Sequence, residues 1–263
     1  MFHEPPPTNW DLHFRVFGFP VRVSPYFWLT TLILGLNPSR STPPAHLLIW
    51  VAVVVVSILI HELGHAFMQR HFGGRPWITL YGLGGLASCD DCDRRTSSQI
   101  LISLAGPAAG FAFAGVVALA LSLAGRAVGL DVGAPFDPSG VDLGDARSVT
   151  WLPLPMSTLY WASLPSDVGD QLVASLFRIN ILWGLVNLLP VYPLDGGRIA
   201  RELCTLRDVP AGIVLSLRIS MAVAIAMAAF ALIRWQSVYV AILFGYMAYS
   251  NYTTLRGYQE RRW

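Results

Sequence analysis

The stretch Leu47-Leu-Ile-Trp-Val-Ala-Val-Val-Val-Val-Ser-Ile-Leu-Ile60, followed at once by His61-Glu-Leu-Gly-His65, decides how this sequence reads. Only Ser57 interrupts fourteen otherwise apolar residues. As a helix the run rises about 1.5 Å per residue, roughly 21 Å before His61 is reached. In hydrocarbon about 30 Å thick, His61 then lies in the far third of a bilayer and not at its surface. Helical residues four apart share a face, so His61 and His65 can each aim a ring nitrogen at one Zn²⁺. Glu62, beside the first ligand, stands where a general base acts on water whose pKa the metal has lowered toward about 7. Two imidazoles and a carboxylate near hydrocarbon are costly, which marks them as functional.

The composition agrees with a lipid setting. Apolar residues make up 54% of the 263 and charged residues 13%, with mean hydropathy +0.52. Soluble domains carry about 25% charged residues. A net charge of +2 gives no footprint for nucleic acid. Three cysteines cannot frame a disulfide scaffold, and the C-x-x-C of Cys89 and Cys92 reads as a plain reduced loop, with a redox pair as the alternative. Met1 to Trp10 holds three prolines and no apolar core, so it is not read as a signal peptide.

Six apolar runs are candidates for spanning: 25–36, 46–70, 99–124, 172–189, 211–233 and 237–249. The first and last are short. With both ends inside, Arg15, Arg22, Arg70, Arg75, Arg94, Arg95, Arg198, Arg201, Arg207, Arg256, Arg261 and Arg262 face the cytoplasm. Arg40, Arg126, Arg147 and Arg234 face out, the asymmetry that the positive-inside rule expects. The metal then lies toward the cytoplasmic side. The longest connection, 125–171, falls outside the cell, and either a lid or a solvated loop fits it. Its apolar patch at Trp151, Leu152, Leu154, Tyr160 and Trp161 suits a membrane interface.

A catalytic zinc needs a third protein ligand. The best candidate lies in Asn187-Leu-Leu-Pro-Val-Tyr-Pro-Leu-Asp195-Gly-Gly-Arg198. Pro190 and Pro193 break the fourth helix near its cytoplasmic end, and Gly196 and Gly197 permit a sharp reversal. Asp195 can thus turn back at about the depth of His61. A glutamate elsewhere as third ligand is the nearest enzymatic rival.

At these residues the chain resembles the site-2 protease family of intramembrane zinc metalloproteases. H-E-L-G-H on an early span, N-x-x-P-x-x-P-L-D-G-G-R on a later one, and a glycine hairpin at Trp77 to Ala87 carry the likeness, over roughly Phe14 to Leu206. The resemblance implies Zn²⁺ on His61, His65 and Asp195, with Glu62 as catalytic base and Asn187 holding the substrate carbonyl or its oxyanion. It also implies that the hairpin, around Leu83, Gly84 and Gly85, accepts an unwound substrate segment as an added strand. The expected activity is peptide-bond hydrolysis in or near the transmembrane segment of a single-pass membrane protein within the lipid bilayer. One departure stands out. Where many members have A-G-P-x-x-N, this chain has Ala105-Gly-Pro-Ala-Ala-Gly110, so Gly106 and Gly110 read as a helix-packing face.

The expected fold is an all-α integral membrane protein of about six transmembrane helices with a small membrane-embedded β-hairpin. It forms one metalloprotease domain over 1–263, and no stretch resembles a PDZ or CBS module. His46, His71, Arg178 and Arg218 read as snorkelling or interhelical groups. Two other functions compete: a catalytically silent zinc-binding membrane module and a metal-handling transporter. An intact Glu62 argues against the first, and the lack of internal repeats against the second.

Overall fold

The computed structural model describes residues 6–36, 43–82, 84–132, 137–141 and 148–260. Leu83 and Arg40, Arg147, Arg261 and Arg262 lie outside the described residues. The chain opens with strands β1 (Leu12–Val16) and β2 (Phe19–Val23), then α1 (Pro25–Gly35) and the long α2 (Pro44–His71). Valine-rich as it is, α2 is helical, because in lipid only a helix satisfies every backbone group within one segment. Pro44 opens it, where the missing N–H costs nothing.

Strands β3 (Trp77–Tyr81) and β4 (Gly84–Ser88) follow, then α3 (Thr96–Leu123). β3 pairs parallel with β2 and antiparallel with β4, giving a four-stranded sheet in the order β1-β2-β3-β4. Gly84, at φ +128°, starts β4 in a conformation that suits glycine alone. Val21, Val23, Ile78, Leu80 and Phe27 are buried with Val54, Ile58 and Ala66 of α2, so the sheet lies along the histidine-bearing half of that helix.

A second, antiparallel sheet is made by β5 (Val128–Asp131), β6 (Val149–Pro153) and β7 (Thr158–Ala162), in the order β5-β7-β6. The 125–171 connection is therefore partly structured. Leu152 and Trp161 of the expected surface patch are buried against Ala114, Leu121 and Phe177, while Trp151 stays exposed. Asp170 anchors this sheet, accepting hydrogen bonds from Trp161 Nε1 (3.1 Å) and Thr150 Oγ1 (2.8 Å).

The chain returns through α4 (Asp167–Phe177), a π-helical stretch (Arg178–Trp183) and α5 (Gly184–Asn187). Turns over 188–194 lead to α6 (Asp195–Cys204), and α7 (Val209–Arg234) and α8 (Val238–Glu260) close the fold. Asp208 caps α7, its side chain accepting from the Ala211 N–H (2.9 Å).

Two expectations about the fold need correcting. Among the described residues three helices, not six, are long and apolar enough to cross a membrane: α2, α3 and α7. α1 has only 11 residues. The fourth run lies in a helical stretch that changes from α to π over Arg178–Trp183, so no single long α-helix forms there. α8 has a polar second half, from Ser250 and Asn251 through Arg256 to Glu260. The fold is also not all-α with a small membrane-embedded hairpin. β3 and β4 are half of a larger sheet whose outer strand β1 is largely exposed and carries His13 and Arg15. On the neighbouring strand, Arg22 pairs with Asp11 at 3.0 Å. An exposed, charge-bearing outer strand suits a polar surface, and the described residues show no membrane-embedded hairpin.

Candidate metal centre

Ser57, His61, His65 and Gln69 follow one another at four-residue intervals on α2, and all four are buried. They form a polar seam down an apolar helix, and each reaches a different element. Ser57 Oγ accepts from Asn180 Nδ2 of the π-helical stretch (2.9 Å). His61 Nε2 lies 3.1 Å from Asp195 Oδ2 at the start of α6. His65 donates from Nδ1 to the Ile102 carbonyl of α3 (2.7 Å). Gln69 donates to the Ala87 carbonyl of β4 (3.2 Å).

A carbonyl only accepts, so His65 carries its proton on Nδ1, and Nε2 of the neutral ring keeps a free lone pair. That Nε2 is 3.1 Å from His61 Nε2 and 3.3 Å from Asp195 Oδ2. Three ligands on a tetrahedral zinc at about 2.0–2.1 Å stand roughly 3.3–3.4 Å apart. The observed triangle thus has the size that one zinc ion requires, and its donor set of two imidazoles and a carboxylate is a zinc set. Among the described residues this is the one cluster of three such groups.

Glycines make the room. Gly64 lies against the Ala105 carbonyl and the Ala109 methyl, which brings α2 and α3 close together. One residue on, a Cβ at Gly106 would stand 2.7 Å from His61 Nε2 and closer still to His65. Gly106 is therefore more than a helix-packing residue, since it clears the space the metal would fill. Gly110 faces Asn180 instead, and a Cβ there would stand 3.7 Å from Asn180 Oδ1. The amide missing from α3 is thus matched by one on the facing segment. Asn180 Nδ2 also donates to the Leu176 carbonyl (2.9 Å), the acceptor that an α-helical N–H of residue 180 would use.

Glu62 is buried beside the triangle, and its carboxylate lies against Gly85, where a Cβ would meet Oε1 at 2.6 Å. β4 is an edge strand of its sheet, paired with β3 alone, and Glu62 lies against it at Gly85. Burial raises the Tyr81 phenol above its ordinary pKa, and the Glu62 carboxylate adds to the rise while Arg198 opposes it. Asn187 is buried at the end of α5. His46, His71, Arg178 and Arg218 do not join the cluster.

Around Asp195 the geometry differs from expectation in one respect. Gly196 and Gly197 do not make the reversal; they are helical, in the first turn of α6. The turns over 188–194 reverse the chain, and the two glycines let α6 press on the backbone of Leu188, Val191 and Tyr192. Cys89 and Cys92 are also not free thiols: they are joined in a disulfide just beyond β4, with Gly74 against both sulfurs. The reduced loop expected there is not what forms, because the turn after Ser88 brings the two Cα atoms to 5.7 Å. Sequence reasoning missed Asn180 and Gln69, although the four-residue spacing from Ser57 to Gln69 was there to be read.

Comparison with known proteins follows the same lines. The profile of peptidase family M50 matches residues 49–233. A zinc metalloprotease of Methanocaldococcus jannaschii is 23% identical over 195 residues, covering 72% of this chain and 44% of that protein. A protein of Synechocystis sp., provisionally named a zinc metalloprotease, is 28% identical over 199 residues, covering 72% of this chain and 42% of its own. The chain thus spans less than half the length of these curated relatives. Among solved structures, a site-2 protease from Methanocaldococcus jannaschii superposes with a TM-score of 0.55 at 18% identity, covering 94% of this chain and 95% of that one. At that identity the likeness is one of fold.

Proposed function

The chain belongs to peptidase family M50, and from that premise we propose that it is a zinc-dependent, multi-pass membrane endopeptidase that cleaves in or near the transmembrane segment of a single-pass membrane protein. The observation that carries the reading is the triangle of His61 Nε2, His65 Nε2 and Asp195 Oδ2, with sides of 3.1 to 3.3 Å, beside the buried Glu62. A silent binding module has no use for that carboxylate.

In this reading His61, His65 and Asp195 hold Zn²⁺. When bound, the ion supplies a water of lowered pKa and Lewis acidity toward the scissile carbonyl. Glu62 accepts the proton of the attacking water and delivers it to the leaving amine. Asn187 donates a hydrogen bond to the oxygen on which negative charge develops. A transmembrane helix hides its amides in its own hydrogen bonds, so the substrate must unwind before it can be cut. The free edge of β4 at Gly84 and Gly85 re-satisfies those groups by accepting the segment as a further strand. Residues 125–171 with their sheet cap the opposite end of the bundle, and the whole forms one metalloprotease domain.

Orientation follows from charge. Arg70, Arg75, Arg94, Arg95, Arg198, Arg201 and Arg207 flank the metal-bearing ends of the helices, against Arg126 and Arg234 at the other end. The metal end is therefore cytoplasmic. The Cys89–Cys92 pair lies on that side, so a membrane-impermeant thiol reagent applied with reductant to intact cells should fail to label it. Labelling would reverse the orientation.

The test of function compares purified wild type with Glu62→Gln on membrane-anchored peptides. Cleavage by wild type and none by the variant, at equal zinc content, is expected. Equal cleavage by both removes Glu62 as the base, and zinc-loaded wild type that cuts nothing in a panel returns the chain to a binding role.

A further inference from the structure

The third ligand is delivered by the turns over 188–194, and their backbone is held by two helices that contribute nothing to the metal motifs. The Tyr192 N–H donates to Ser220 Oγ of α7 (3.1 Å). The Tyr192 carbonyl accepts from Asn251 Nδ2 of α8 (2.7 Å), which also donates to the Met247 carbonyl (2.8 Å). Both backbone polar groups of one residue are thus taken by side chains, one from each helix, and those residues are 1% and 2% exposed. Val191 and Leu194, on either side of this residue, are buried with Ala224, Phe244, Met247 and Ala248 of the same two helices. From above, Gly197 presses on Tyr192 and Val191, where a Cβ would come within 2.6 Å of the Val191 carbonyl oxygen.

Helix packing alone does not require this arrangement. Ser220 and Asn251 are polar groups inside an apolar helix pair, and each is aimed at the one residue that the ligand turn presents to both. Asn251 also leaves its Oδ1 without a partner among the described residues, a cost accepted for the bond to Tyr192. Only Pro193 and Leu194 separate Tyr192 from Asp195, and the packing of α6 onto Tyr192 leaves that short tether little freedom.

We propose that Ser220 and Asn251 are positioning residues for the third zinc ligand: α7 and α8 fix the Tyr192 peptide and thereby hold Asp195 at His61 and His65. The inference rests on the reading that these three residues bind zinc.

The experiment measures the zinc dissociation constant of the purified full chain, in detergent, by competition with a chromophoric chelator. Four proteins form a cycle: wild type, Asn251→Leu, Asp195→Ala and the double variant. Asn251→Leu is expected to weaken zinc by about 10- to 100-fold, the range for residues that orient a ligand. In the Asp195→Ala background the same change should have no further effect, because there is no third ligand left to orient. A merely structural role would weaken both backgrounds alike, and that result overturns the proposal, as does unchanged affinity for Asn251→Leu alone. If Asp195→Ala itself binds zinc like wild type, the ligand reading has failed, and the cycle says so separately. Should Asn251→Leu not fold, Ser220→Ala opens no large void and enters the same cycle with the same expectations.

Discussion

Gly106→Ala adds one methyl group where the zinc reading requires empty space. The new Cβ would stand 2.7 Å from His61 Nε2 and nearer to His65 Nε2. Ordinary non-bonded contact is about 3.5 Å, so the His61 ring must retreat by about 0.8 Å. Zinc–ligand distances tolerate about 0.2 Å. His65 can retreat only by giving up the bond of its Nδ1 to the Ile102 carbonyl, on the same helix as Gly106, and with it the position from which it would bind zinc. At least one ligand is lost, and zinc affinity should fall about 100-fold or more, about 2.7 kcal/mol. Meanwhile Gly→Ala inside a helix gains up to about 1 kcal/mol from propensity, and in zinc-free protein the rings can swing aside. The signature is therefore an unchanged or raised melting temperature without zinc and a much weaker zinc dissociation constant by chelator competition. Gly115→Ala, on the same helix with nothing within 4 Å of its Cβ, is the control and should leave zinc binding alone. If Gly106→Ala binds zinc within about threefold of wild type, less than the roughly 1.4 kcal/mol of a tenfold change, the metal is not in the triangle.

Three other outcomes are expected. Gly85→Ala pushes a methyl into the Glu62 carboxylate, so kcat on a membrane-anchored peptide should fall about 100-fold, the scale of a 1 Å misplacement, with bound zinc unchanged; loss of zinc instead would mean that Glu62 is not a separate base. A double-mutant cycle of Ser57→Ala and Asn180→Leu should give a coupling of about 0.6 kcal/mol, and at most about 1.7, as for other interhelical bonds in membranes; zero coupling in thermal unfolding would remove that contact. Chelation should abolish cleavage and re-addition of zinc should restore it, so activity that survives with no measurable zinc refutes metal catalysis.

What could be read from the sequence was whatever its spacing encodes. His61 and His65 are four apart, and the Pro190-x-x-Pro193 break puts Asp195 just beyond a helix end, so local geometry alone located three groups that meet across 134 positions. Spans were harder, because apolar content says nothing of helix continuity. Runs 172–189 and 237–249 pass as apolar, yet one is interrupted where Asn180 takes the Leu176 carbonyl, and the other runs on into a polar end. β1 and β2 went unread because a sheet's register is set by pairing partners remote in sequence, here Val21 with Ile78. Asn251 was invisible for the same reason: nothing near it in sequence reveals that its partner is Tyr192, 59 residues earlier.

The seam on α2 ties one helix to four separate parts of the molecule, through Ser57, His61, His65 and Gln69. Adding or removing a single residue between Ser57 and Gln69 would turn everything beyond it by about 100°, pulling some of these attachments off their partners at one stroke. Exchanging the apolar residues between them would leave all four in place. Over this stretch natural variation is therefore open to the letters and closed to the count, and a family member whose helix differs in length here would need a different molecule around it.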